Sequence, residues 1–166
     1  KKFFTLLLSF LLIIAAFPLS ANADSGAAVT VTAATASIGG YATVYISASG
    51  FKSVSSIDFT VHYDDSAMSV ESAGAAALLS GAMSSIDSSV SGEVRISAAA
   101  INGITSSDGS SYSNRLIYIR FKIREDADVG TYGVSVTVGE VYDSALSAVT
   151  VSGGSGYITV TEKTAP

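Results

Sequence analysis

From Ala28 onward the chain alternates apolar and polar residues with a period of two, in short runs separated by Gly, Ser and Asp. That period belongs to a β-strand, whose successive side chains point to opposite faces. The runs fall near Ala28–Ala33, Tyr41–Ala48, Ser56–Tyr63, Met68–Ala73, Met83–Asp87, Glu93–Ala99, Arg115–Arg124, Thr131–Val138 and Val149–Val160, the last broken at Gly153-Gly154. Only Ala75 to Leu79 departs from the pattern, and it suits a short helical turn. The alternation also assigns faces. Ala42, Val44, Ile46 and Ala48 point one way, and Tyr41, Thr43, Tyr45 and Ser47 the other. Ile57, Phe59, Val61 and Tyr63 face inward, against Ser56, Asp58, Thr60 and His62 outward. Ile117, Ile119, Phe121 and Ile123 line the inner side of their strand, as do Val134, Val136 and Val138 of theirs. Half-buried strands punctuated by turns predict an all-β fold of two packed antiparallel sheets, a sandwich or jelly roll.

The start of the chain points to export. Lys1 and Lys2 precede an apolar run from Phe3 to Phe17, Pro18 ends it, and Ala21-Asn22-Ala23 offers a small-x-small cleavage pattern. Residues 1–23 therefore read as a secretory signal peptide cut before Asp24. The run is shorter than the ~20 residues a membrane-spanning helix needs. Residues 24–160 are expected to form one domain, and residues 161–166 to begin a linker that continues beyond Pro166. Past the cut, fourteen acids face seven of the nine bases, a net charge of −7. An acidic domain without a basic cluster is a poor partner for nucleic acid. Cysteine is absent, so stability must come from packing without disulfides or thiolate metal sites.

Catalytic readings find little support. His62 is the single histidine. A Ser-His-Asp arrangement built from it would lie along one flat strand, with no nucleophile elbow or oxyanion turn. The acids Asp64-Asp65 and Glu125-Asp126 with Asp128 sit in turns, where Asp commonly receives backbone N–H groups. A glycosidase would pair two carboxylates, from these groups or Asp58, across a sugar cleft, but the chain has no Trp to line one. No EF-hand loop occurs, and Asp108, Asp126 and Asp128 are too few and too scattered for a convincing calcium cage.

The segment Ser56-Ile57-Asp58-Phe59-Thr60-Val61-His62-Tyr63-Asp64, followed by Met68-Ser69-Val70, resembles the third and fourth strands of cohesin modules. Those strands carry an inward Phe and a Tyr-Asp-Pro turn before a Leu-x-Val-like strand. Gly40-Tyr41-Ala42-Thr43-Val44-Tyr45-Ile46 is similar to the family's second strand. Ala127-Asp128-Val129-Gly130-Thr131-Tyr132 is similar to the approach to its eighth, and Gly156-Tyr157-Ile158-Thr159-Val160 to its closing strand. The resemblance runs from Ala28 to Val160. Two departures stand out: Asp65 replaces the turn Pro, and the stretch from Asn102 to Asn114 is rich in Ser and Gly.

The resemblance implies a noncatalytic, nine-stranded jelly roll that binds dockerin modules carried by enzymes or scaffold proteins. Such binding assembles extracellular, cellulosome-like complexes. Cohesins use a flat face made by the fifth, sixth, third and eighth strands, with an Asn and an Asp two residues apart on the third. The Asp falls on Asp58 and the Asn on Ser56, and the alternation independently turns both outward. Neighbours implied on that face are Thr60, His62, Arg95, Ser97, Ala99, Ser135 and Thr137. No cofactor is expected in this chain, since calcium would arrive with the dockerin. Two other functions stay open. A carbohydrate-binding module would use outward aromatics, but Tyr41, Tyr45 and Tyr118 lie on different strands. A structural or adhesive surface domain would need no ligand.

Overall fold

The computed structural model describes residues 26–107 and 111–163. The expected signal peptide, Asp108 and the last three residues of the linker-like tail lie outside the described residues. The strands are β1 (Ala28–Val31), β2 (Ala34–Ser37), β3 (Tyr41–Ser49), β4 (Val54–Tyr63), β5 (Met68–Ala75), β6 (Met83–Asp87), β7 (Glu93–Ile104), β8 (Arg115–Ile123), β9 (Gly130–Asp143) and β10 (Ser155–Thr161). A four-stranded sheet in the order β1-β3-β8-β5 packs on a six-stranded sheet in the order β2-β10-β9-β4-β7-β6. Among the described residues there are thus ten strands where nine were expected.

The extra strand is β2, just past the first expected run, where the chain changes sheets after Val31. Thr32 makes the break possible without Gly or Pro. Its N–H donates to the Tyr45 carbonyl at 3.0 Å, and its Oγ1 accepts from the Tyr45 N–H at 2.9 Å. The side chain thereby replaces one backbone ladder bond. β1 pairs antiparallel with β3, whereas β2 pairs parallel with β10. One parallel pair therefore enters a fold expected to be antiparallel. At the other end, β10 begins at Ser155, just past the glycine pair, and runs one residue into the expected linker, to Thr161.

The inner faces form one core. Phe51, Phe121, Ile57, Ile119 and Val61 are fully buried, each contributing about 1.5–3 kcal/mol relative to exposure. Tyr63 and Phe121 join the two sheets, their ring centroids 5.0 Å apart. The expected helical turn is a short 3-10 segment at Ala77–Leu79 that buries Leu79. Ser47, expected outward, is buried instead, at the register shift between Ile46 and Ser47. Asn114 is also buried, and it is satisfied by Ser107. Its Oδ1 accepts from the Ser107 N–H at 2.9 Å, and its Nδ2 donates to the Ser107 carbonyl at 2.8 Å. The Ser-rich loop is thereby tied to the start of β8.

Candidate functional site

The outer face of the six-stranded sheet gathers all nine residues expected at the site. β4 runs between β7 and β9, so residues of like parity line up in rows across the three strands. Ser56 lies opposite Ala99, Asp58 opposite Ser97, and Thr60 opposite Arg95. On the other side, Thr60 lies opposite Thr137 and His62 opposite Ser135. Directly opposed residues have Cβ atoms ~4.5–5.5 Å apart, close enough for one partner to touch several rows. Most of these side chains are short, so the surface is flat.

Asp58 occupies the centre. It is exposed, and its carboxylate has no hydrogen-bond or ion-pair partner among the described residues. A register shift between Ile57 and Phe59 sets Gly139 beside it. A Cβ at Gly139 would stand 3.5 Å from the Asp58 Cβ, so the glycine keeps the approach to the carboxylate low. Shallow depressions flank it. One, of about 440 Å³, is bounded by Ser56, Met83, Ser85 and Ser97. The other, of about 250 Å³, is bounded by Thr60, Arg95, Thr137 and Gly139. An unpaired anion on a flat surface of hydroxyls and methyls can accept hydrogen bonds from a partner without first breaking any of its own.

His62 is held differently. Its Nε2 lies 3.1 Å from Thr137 Oγ1, and its Nδ1 lies 3.8 Å from Glu93 Oε1. The order Thr–His–Glu imitates a nucleophile relay, but its chemistry is incomplete. The outer link exceeds hydrogen-bond distance. Glu93 is engaged by Arg95, whose Nη2 donates to Oε2 at 3.0 Å. The face is open sheet, whose backbone N–H groups are spent in the ladder and cannot form an oxyanion hole. This histidine is a partly exposed polar residue of the open sheet face.

Of the turn carboxylates suspected of catalysis, Asp64, Asp65, Glu125 and Asp126 are occupied by turn bonds and surface pairs. Asp64 Oδ1 accepts from the Ser66 N–H at 2.9 Å. Glu125 pairs with Lys163 at 3.0 Å, and Asp126 with Arg124 at 3.1 Å. The Arg124 hydrogen bond holds the Asp126 carboxyl below the usual carboxylate range. Among the described residues, no three His, Cys, Asp or Glu side chains converge on a possible metal position.

Sequence reasoning placed a strand at Met83–Asp87 but named none of its outward residues for this face. β6 places Met83, Ser85 and Asp87 opposite Ala99, Ser97 and Arg95, and Met83 is 75% exposed. The Ser89 backbone N–H bonds Asp87 at 2.9 Å and holds its carboxyl below the usual carboxylate range. The run Met-Ser-Ser-Ile-Asp has no clear alternation, and only its pairing with β7 reveals which side chains point outward. Ile101, 96% exposed beyond Ala99 on β7, extends the apolar corner begun by Met83.

Comparison with known proteins places this geometry. The family model described as "Cohesin domain" matches residues 27–160. No curated protein sequence matches the chain. Among solved structures, a non-cellulosomal cohesin from the archaeon Archaeoglobus fulgidus is similar at 17% identity and TM-score 0.71, over 82% of this chain and 92% of that one. A type I cohesin from Pseudobacteroides cellulosolvens is similar at 23% identity and TM-score 0.66, over 85% and 95%. A chain of a type I cohesin–dockerin complex from Clostridium thermocellum is similar at 16% identity and TM-score 0.68, over 82% and 99%. At these identities the likeness establishes the fold.

Proposed function

Because the chain belongs to the cohesin domain family, we propose that it is a noncatalytic module that binds dockerin domains through the outer face of its six-stranded sheet. By that contact it would join dockerin-bearing enzymes or scaffold proteins into an extracellular, cellulosome-like complex for polysaccharide degradation. The observation that carries this reading is Asp58, an exposed and unpaired carboxylate at the centre of a flat surface of short side chains. Similar folds include both a chain from a cohesin–dockerin complex and a non-cellulosomal cohesin. The partner class therefore rests on the Asp58 face and the family, and not on overall shape.

Each expected contact residue has a role in this reading. Asp58 accepts charge-assisted hydrogen bonds, and Ser56, Ser97, Thr60 and Thr137 supply neutral ones. Ala99, Met83 and Ile101 form an apolar corner, and Arg95, His62 and Ser135 set the polar rim. Ser56, where cohesins carry Asn, lacks an amide fork, so this chain selects dockerins with a different donor at that place. Calcium belongs to the dockerin. Residues 1–23 direct export, and among the described residues no helix is long and apolar enough to cross a membrane.

The test is titration calorimetry of the chain against each dockerin from the same genome, in the presence of calcium. Binding to at least one is expected, and a complete panel without binding contradicts the reading. For the dockerin that binds, Asp58→Ala should weaken affinity by more than about 1 kcal/mol, at least fivefold. Since the Asp58 carboxylate has no hydrogen-bond or ion-pair partner among the described residues, the same variant should keep its stability within about 0.5 kcal/mol. An unchanged affinity would remove Asp58 from the interface.

A further inference from the structure

The opposite sheet presents a second surface with different chemistry. The sequence puts Tyr41, Tyr45 and Tyr118 on separate runs, but β3 and β8 are neighbours, and Tyr45 stands directly opposite Tyr118. Thr43 faces Arg120, and Tyr41 faces Lys122. The Tyr118 ring lies across Gly74 of β5, where a Cβ would come within 2.7 Å of it. Tyr45, Tyr112 and Tyr118 surround an open depression of about 470 Å³ whose rim includes Thr43, Ser72 and Arg120.

The charges on this face are unusual for so acidic a chain. Arg95, Arg124 and Lys163 each pair with a carboxylate. Arg115, Arg120 and Lys122 have no carboxylate partner among the described residues. They lie on aromatic rings instead. The Arg115 guanidinium sits 3.7 Å from the Tyr45 ring centroid and 4.9 Å from that of Tyr112. Arg120 and Lys122 sit 4.4 Å and 4.5 Å from the Tyr41 ring. A guanidinium laid against a ring loses rotational freedom, yet its N–H edges stay available for a planar, bidentate anion.

We infer that this face binds a polysaccharide built from uronic acid residues. The fixed guanidiniums match sugar carboxylates, and the surrounding Tyr, Thr and Ser hydroxyls match ring hydroxyls. The cations already occupy ring surface at Tyr41 and Tyr45, which disfavours a neutral sugar that must stack there. Nucleic acid fits poorly, because the Tyr41 and Tyr45 rings on which its bases would stack are already covered by cations. The face lies on the sheet opposite Asp58, so a dockerin and a glycan can be held together.

Affinity electrophoresis tests this with three gels containing polygalacturonate, its fully methyl-esterified form, and single-stranded DNA. The chain should be retarded by polygalacturonate at low salt, and by the other two at least about tenfold more weakly. An Arg115→Gln/Arg120→Gln variant with an unchanged melting temperature should lose the retardation, whereas Asp58→Ala should keep it. Absence of retardation overturns the inference. So does equal retardation by the esterified polymer or by DNA, which needs only the unmodified chain, or full retardation of the double variant.

Discussion

A Phe121→Ala variant is expected to lose about 3–5 kcal/mol of stability, a large part of what a domain of this size possesses. Phe121 is fully buried on β8, an interior strand of the four-stranded sheet. It lies opposite Ala42 on one side and Val70 on the other. Its ring reaches across to Tyr63 on β4, with centroids 5.0 Å apart. Truncation removes the contact that spans the two sheets and leaves a cavity that neither Ala42 nor Val70 can fill. With no cysteine in the chain, no disulfide limits the damage. A denaturant titration should show the midpoint falling at unchanged slope, and the melting temperature should drop by roughly 10–15 °C. A loss below about 1 kcal/mol would mean that the sheets do not meet at this ring.

The second large effect is expected where the chain passes between the sheets before β10. Gly154→Ala should cost about 2–4 kcal/mol. The glycine is needed for space, since its φ is not positive. A Cβ there would overlap the Val29 carbonyl oxygen and stand 3.0 Å from the Thr30 Cα. Both are backbone atoms of β1, so the obstruction cannot swing aside. The Gly154 carbonyl also accepts the Val136 N–H at 2.8 Å, and Ser152 accepts the Val29 N–H at 2.8 Å. Moving the segment away would break bonds to both sheets. Gly133→Ala is the control, because a Cβ at that position meets nothing within 4 Å. Its stability should change by no more than about 0.5–1 kcal/mol. Equal losses in the two variants would refute the crowding argument.

These two sites mark different degrees of legibility. Phe121 is an inward residue in an unbroken alternation, and period-two patterning alone puts it in the core. Asp58 is legible in the same way: once Ile57 and Phe59 face inward, parity turns it outward. The glycine pair is visible as a break in the last strand, but the backbone that crowds it belongs to β1 and β9, far away in sequence. The sheet switch at Thr32 carries no turn residue at all and depends on a side chain standing in for a ladder bond. β7 and β9 run on to Ile104 and Asp143, past the points where Ala98-Ala99-Ala100 and Gly139 blur the alternation. Pairing with Val54 of β4 sustains them there.

The faces show the same division. The outward residues of β4, β7 and β9 could be read from parity, although their adjacency came from the family resemblance. The contribution of β6 could not, because Met83, Ser85 and Asp87 acquire a direction only from their register with β7. The tyrosines of β3 and β8 alternate correctly in sequence, yet their meeting depends on a pairing between strands separated by four others in chain order. Local patterning settles which way a side chain points. Strand order settles what it stands beside.

The most direct test of the central claim is an NMR titration of the labelled chain with a dockerin from the same genome that binds it. The expected result is a set of shift changes centred on Asp58 and spreading to Ser97, Thr60, Ser85 and Thr137, with β3 and β8 unperturbed. Changes centred on Tyr45, Tyr118 and Arg120 instead, or none on β4 at saturation, would contradict the account.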